Sequence, residues 1–222
     1  MMSGFKNERY NCGYEHGLFN QVVRHLIEAS NEMRVACSDE NNPLPNHEDR
    51  ITDRLVGKYL VNRHRNFRYA PQVPVNFNDD RDRFDGRADI EVVTGNRFLG
   101  NELVYFLIEC KRIDGTADLN RKYITEGVAR FTEHPPQYPA ENGMAIMFGY
   151  VVSNGVDIAD NTTKIESLQH YHLHGVTAGS FASQEEKASR YYVYNCKYTS
   201  EHLECVELKH LFYDFSEAIF AT

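Results

Sequence analysis

The chain has 222 residues, is 41% hydrophobic and 25% charged, and has a formal net charge of −8. This length and balance fit one globular core with small additions, and no apolar run nears the roughly 18 residues of a membrane helix. The start shows no cleaved-leader pattern, and the cysteines Cys12, Cys37, Cys110, Cys196 and Cys205 are odd in number and widely spaced, which favours reduced thiols in a cytoplasmic setting.

Residues 1–13 are polar. From Tyr14 to Met33, Leu18, Val22, Leu26 and Ile27 predict an amphipathic helix. Residues 36–47 hold two prolines and read as a linker. A second helix is expected from His47 to Asn62, with Asn46 as its N-cap and Ile51, Leu55 and Tyr59 as its buried stripe. Glu48 lies on that stripe, seven residues before Leu55. Asn66–Asn76 reads as an edge strand, because Pro71 and Pro74 cannot donate ladder hydrogen bonds. Asn78–Arg83 reads as a charged turn.

Two strands follow, Arg87–Thr94 and Val104–Arg112. Alternation puts Asp89 and Glu91 on one face of the first, and Leu107, Glu109, Lys111 and Ile113 on one face of the second. The second strand is apolar on both faces up to Ile108, as in a strand buried within an α/β sheet. A Glu and a Lys at the end of such a strand are costly to bury unless paired or bound to a metal. If the strands pair, Asp89, Glu109 and Lys111 converge. Two carboxylates and an ammonium can hold a divalent cation and a phosphate together. Glu91 is either a further ligand or a charge on the sheet rim.

Beyond the turn at Gly115–Asp118, a helix is predicted over Leu119–Thr132. Gly127 inside it costs about 1 kcal/mol relative to Ala, which a close approach to the sheet would explain. Lys122, Tyr123 and Arg130 then stand over the site, or Lys122 and Arg130 are solvated surface charges. His134–Gly143 is a Pro-rich loop, Met144–Val152 a buried strand and Val156–His170 a helix. Tyr191–Tyr198 and Cys205–Tyr213 read as a hairpin whose aromatic end packs on the core or on another subunit. His170, His172 and His174 would share a face if extended, and Cys196, His202 and Cys205 could clip the hairpin. The first set has no evident supporting carboxylate, and the second has no apparent fourth ligand.

Asp89, nineteen residues, then Glu109-Cys110-Lys111 resembles the PD-(D/E)XK signature of the restriction-endonuclease-like nuclease superfamily, with Ala88 where the name has Pro. The resemblance covers about Glu48 to Val152. It implies an α/β fold: a mixed central sheet flanked by helices in the order α-β-β-β-α-β, within a single nuclease domain of residues 1–222. The N-terminal helix and the C-terminal helix and hairpin would be additions to that core.

The implied activity is metal-dependent DNA cleavage, with RNA as the other candidate substrate. Asp89, Glu109, the Cys110 backbone carbonyl and Glu48 would hold Mg²⁺, for which Mn²⁺ could substitute. Glu48 would be the acidic residue from the helix before the sheet, or it would only face the positive end of its helix. Glu40 and Asp53 are weaker candidates for that role. Lys111 would act on the attacking water or on the phosphate. Lys122, Tyr123, Arg130, Arg112 and Arg87 would contact nucleic acid. Tyr123, Gly127, Arg130 and Phe131, followed by Gly143 and Met144, also resemble restriction-like nucleases found with phage defence and mobile elements.

Residues 50–130 hold 15 Lys and Arg against 12 Asp and Glu, and the rest hold 9 against 20, so the segment with the motif is basic and its flanks acidic. A partner, either a second copy or another protein, would use the aromatic C-terminal stretch. The competing function is a catalytically inactive module of the same fold that acts through a protein partner.

Overall fold

The computed structural model describes residues 8–38, 42–61, 63–95, 103–140, 143–187 and 190–219. Helix α1 (Glu8–Cys37) is longer than expected, because the stripe of Leu26, Ala29, Met33 and Cys37 stays buried past Met33. Helix α2 (Glu48–Arg54) passes into a wider-wound turn, Leu55–Leu60, that buries Leu55, Val56 and Leu60. Its N-cap is His47, without a side-chain cap bond. Asn46, expected there, instead accepts from Arg112 through its carbonyl and its side chain.

Strands β1 (Phe67–Asn78) and β2 (Arg83–Gly95) form a long antiparallel hairpin. Then come β3 (Leu103–Ile113), helix α3 (Ala117–Tyr123), a wide turn at Ile124–Val128, helix α4 (Ala129–Thr132) and β4 (Met144–Val151). Thr116 caps α3 by accepting from the Leu119 amide, so the helix begins before Leu119. Helix α5 (Ile158–His172) is capped by Asp157, which accepts from the Asp160 amide. Strands β5 (Val176–Ala178), β6 (Ala182–Lys187), β7 (Tyr191–Ser200) and β8 (Leu203–Asp214) complete the chain.

The strands make one mixed sheet in the order β1-β2-β3-β4-β8-β7-β5, with β6 also on β7. β3, β4 and β8 run parallel and the other pairings are antiparallel. β1, with its prolines, is at an edge as expected. Helices α1 and α2 cover one face, packing Phe19, Leu26, Ile51 and Leu55 on Ile90, Ile108, Phe148 and Tyr150. The segment α3–α4 and helix α5 cover the other, with Ile124, Val128, Phe131 and Ile165 against Leu107, Met147, Leu208 and Phe212. Among the described residues no helix is long and apolar enough to cross a membrane.

The C-terminal hairpin extends the β1–β4 sheet from β4 onward. β8 lies against β4 near the middle of the sheet, and Leu211, Phe212, Tyr213 and Phe215 are buried. Those aromatics are interior packing, which removes the expected partner surface. Glycine makes this packing possible at Gly149 on β4. A Cβ there would lie 2.5 and 2.9 Å from two ring carbons of Phe212, itself stacked on Tyr123. Gly149→Ala should therefore cost about 1–3 kcal/mol by overpacking. At this size that lowers Tm by about 2–4 °C per kcal/mol, to be read from thermal unfolding followed by circular dichroism.

Candidate active site

The β2–β3 ladder closes its last rung at Ile90 opposite Ile108. From there β2 stays with β1 as far as Arg83, while β3 stays with β4 as far as Ile113. The two strands part, and Asp89 and Glu109 are the first residues past the fork. The Asp89 side chain crosses the gap: its Oδ2 accepts from the Cys110 amide at 2.7 Å, where a ladder bond would have stood.

Glu109 is 0% exposed, and Asp89 and Lys111 are also buried. Lys111 Nζ donates to Glu109 Oε1 at 2.6 Å, to the Cys110 carbonyl at 3.0 Å and to Glu48 Oε1 at 3.1 Å. Three acceptors use all three protons of an ammonium. Glu48 Oε2 accepts from the Arg112 amide at 2.9 Å, which ties the start of α2 to the end of β3. Arg130 on α4 pairs with the same Glu109 Oε1 at 2.8 Å and donates to the Tyr138 hydroxyl. The Tyr138 hydroxyl in turn donates to the Arg87 carbonyl at 2.6 Å. Glu109 Oε2 is buried without a hydrogen-bond partner.

Gly127 allows this closeness, as the sequence implied. A Cβ there would run into the Met147 methyl and lie 3.5 Å from Lys111 Cγ. The helix thus rests on the stem of Lys111. Above it opens a cleft of about 520 Å³, which Asp89, Glu109, Lys111, Arg130, Arg87 and Tyr138 help to line.

Burial, then the Asp89 carboxylate, push the Glu109 carboxyl up to about 8 against the pull of Lys111 and Arg130. Burial also raises Asp89, opposed by Lys111 and by the Cys110 amide. For Lys111, burial works against the charge, but Glu109, Glu48 and Asp89 outweigh it and raise its pKa. The carboxylates are short of positive charge and the ammonium is well supplied with negative charge. Among the described residues, no three His, Cys, Asp or Glu side chains are already grouped as a metal site. The ammonium stands among the oxygens instead.

Family models, curated proteins and solved structures give no match to this chain.

The structure brings Asp89, Glu109, Lys111 and Glu48 together and keeps Arg130 and Arg87 on the cleft. Arg112 lies beside it, bonded to Asn46. Tyr123 is not a surface contact. It is fully buried and its hydroxyl meets His210 Nδ1 at 2.9 Å, because β8 runs beneath α3. Lys122 pairs with Asp118 on its own helix and does not line the cleft. Glu91 is half-buried on the Asp89 face, Asp53 is exposed away from the cleft, and Glu40 lies outside the described residues.

His170 and His172 are on helix α5, so HYHLH does not form a strand face. Cys196 is buried and bonded to the Gly179 carbonyl, while His202 is exposed and rests on His134. Tyr138 was not anticipated, since nothing marks one tyrosine in a Pro-rich loop.

Removing one partner of a buried ion pair costs about 3–5 kcal/mol. Lys111→Met should cost that much at pH 9. A carboxyl raised above its ordinary 4.5 contributes stability that is present below pH 4.5 and lost as the pH rises through about 8. Without the ammonium Glu109 rises further, so the deficit should shrink at pH 5. Urea unfolding at both values checks this, and equal deficits would rule it out.

Proposed function

We propose that this chain is a metal-dependent DNA endonuclease on a restriction-endonuclease-like core, hydrolysing phosphodiester bonds. The convergence of Asp89, Glu109 and Lys111 at the fork of β2 and β3, with Glu48 reaching in from α2, carries this reading. The donor set fits a hard divalent cation. All its members are oxygens, and Glu109 Oε2 is buried with its lone pairs unused.

Asp89, Glu109, the Cys110 carbonyl and Glu48 are the groups that would hold Mg²⁺, or Mn²⁺ in its place. When bound, such an ion neutralises charge at the phosphate and acidifies water. Lys111, as an ammonium, would serve the developing negative charge or the attacking water by exchanging one of its three present acceptors for it. Arg130, braced by Tyr138, supplies a second cation on the cleft and a fork of donors that suits phosphate.

One observation favours the second reading, an inactive module of the same fold. Lys111 already satisfies three of the oxygens that a metal would use.

Supercoiled plasmid separates the two readings. With Mg²⁺ or Mn²⁺ the wild type should give open-circle or linear DNA, and with EDTA it should give neither. Lys111→Ala should slow cleavage about 100-fold or more while keeping most DNA binding. By calorimetry Asp89→Ala should weaken Mg²⁺ binding. Neither cleavage nor cation binding by the wild type would favour the inactive module.

A further inference from the structure

The β1–β2 hairpin runs on past the carboxylates and carries two exposed aromatic rings. Phe77 and Phe84 oppose each other across its strands, with ring centres 5.2 Å apart. Cross-strand aromatic pairs stabilise hairpins, which accounts for their contact with each other. It does not account for the outer faces, since the residues remain 51% and 52% exposed.

Phe84 lines the cleft over Asp89 and Glu109. It also lines a second hollow of about 460 Å³, walled by Arg81, Arg83, Pro135 and Pro136. Phe84, Asp85 and Gln137 are common to both hollows, so a single trough leads from the carboxylates along the hairpin. The outer hollow, with Arg81 and Arg83 against Asp85, carries the positive excess that favours a polyanion. Asp85 is engaged by Asn78 at 2.7 Å and by Arg81 at 3.5 Å. Arg83 and Arg87 line the trough as well, Arg87 with only a 4.0 Å contact to Asp49.

The turn beyond is different: Asp79, Asp80 and Asp82 flank Arg81 and make it net acidic. Along β2, Arg83 and Arg87 thus lie between that acidic turn and Asp89.

We propose that the trough receives an unpaired DNA strand, with a base stacked on Phe84 and phosphates on Arg83 and Arg87. The inference rests on the endonuclease reading and narrows its substrate to DNA with a single-stranded segment beside the cut. Every base offers a π-face, so the contact needs no particular sequence. Guanidinium groups pair with phosphate through parallel N–H donors.

The test is fluorescence anisotropy with a labelled oligothymidylate of about 12 nucleotides and a blunt duplex of equal length, in Ca²⁺ and in EDTA. The single strand should bind about tenfold more tightly than the duplex. Phe84→Ala should remove that advantage and Phe84→Tyr should retain it. Phe84→Leu keeps an apolar contact with Phe77 but lacks a π-face. It should stay folded, melting no more than about 4 °C below the wild type, and bind as weakly as Phe84→Ala.

Equal or tighter duplex binding, or wild-type binding by Phe84→Leu, overturns the proposal. Tighter binding of oligouridylate overturns the choice of DNA. A dimer in light scattering that Phe84→Ala dissolves, without oligonucleotide binding, makes the rings a subunit contact and also overturns it. Plasmid cleavage with no single-strand preference leaves the nuclease reading standing alone. Phe84-dependent single-strand binding without metal-dependent cleavage supports the trough and removes the nuclease reading.

Discussion

Glu109 is a carboxylate out of reach of water at the point where two strands part, and its surroundings must replace the hydration it lacks. Burying such a group costs several kcal/mol, which only close cations and hydrogen bonds offset. Lys111 and Arg130 meet that need, and both crowd onto one oxygen. The nearby architecture follows from placing them. Gly127 lets the helix settle on the stem of Lys111, α2 brings Glu48 to the far side of the ammonium, and Tyr138 fixes Arg130 while holding on to β2. The other oxygen of Glu109 has no partner in this arrangement.

The core of this site could be read from the residues because its logic is local. Alternation puts Glu109 and Lys111 on one face, and only pairing with β2 is needed to add Asp89. Glu48 was visible through helical periodicity, seven residues from Leu55. Gly127 was visible as a cost that some close contact had to repay. The apolar faces of the second strand pointed to burial within an α/β sheet, while the mixed sheet flanked by helices was what the family resemblance implied.

What stayed hidden is non-local. No periodicity says that the last strand slides in beside β4, yet that placement buries the aromatic tail and sets His210 under Tyr123. Tyr123, expected as a nucleic-acid contact, is an interior residue once the strand below it is known. β5 and β6 are short and lie at the far edge of the sheet, where pairing with β7 rather than side-chain pattern makes them strands. Tyr138 works through its hydroxyl, from a loop with no repeat to mark it.

The electrostatics show why total charge was a poor guide. Several of the arginines that make residues 50–130 basic are already committed. Arg63 holds Glu32 through two nitrogens, Arg54 holds the linker carbonyls, and Arg112 holds Asn46. What a ligand would meet is the balance inside the cleft. At the fork the carboxyls of Asp89, Glu109 and Glu48, when all are ionised, face Lys111 and Arg130 with a formal excess of one negative charge, and Asp49, Asp85 and Arg87 stand on the surrounding wall. A phosphodiester arriving alone would add to that excess in a place where charges are poorly screened. On the endonuclease reading, a divalent cation reverses its sign, and the phosphodiester then closes the sum. The unused oxygen of Glu109 and the raised carboxyls of Asp89 and Glu109 mark the place where positive charge is shortest.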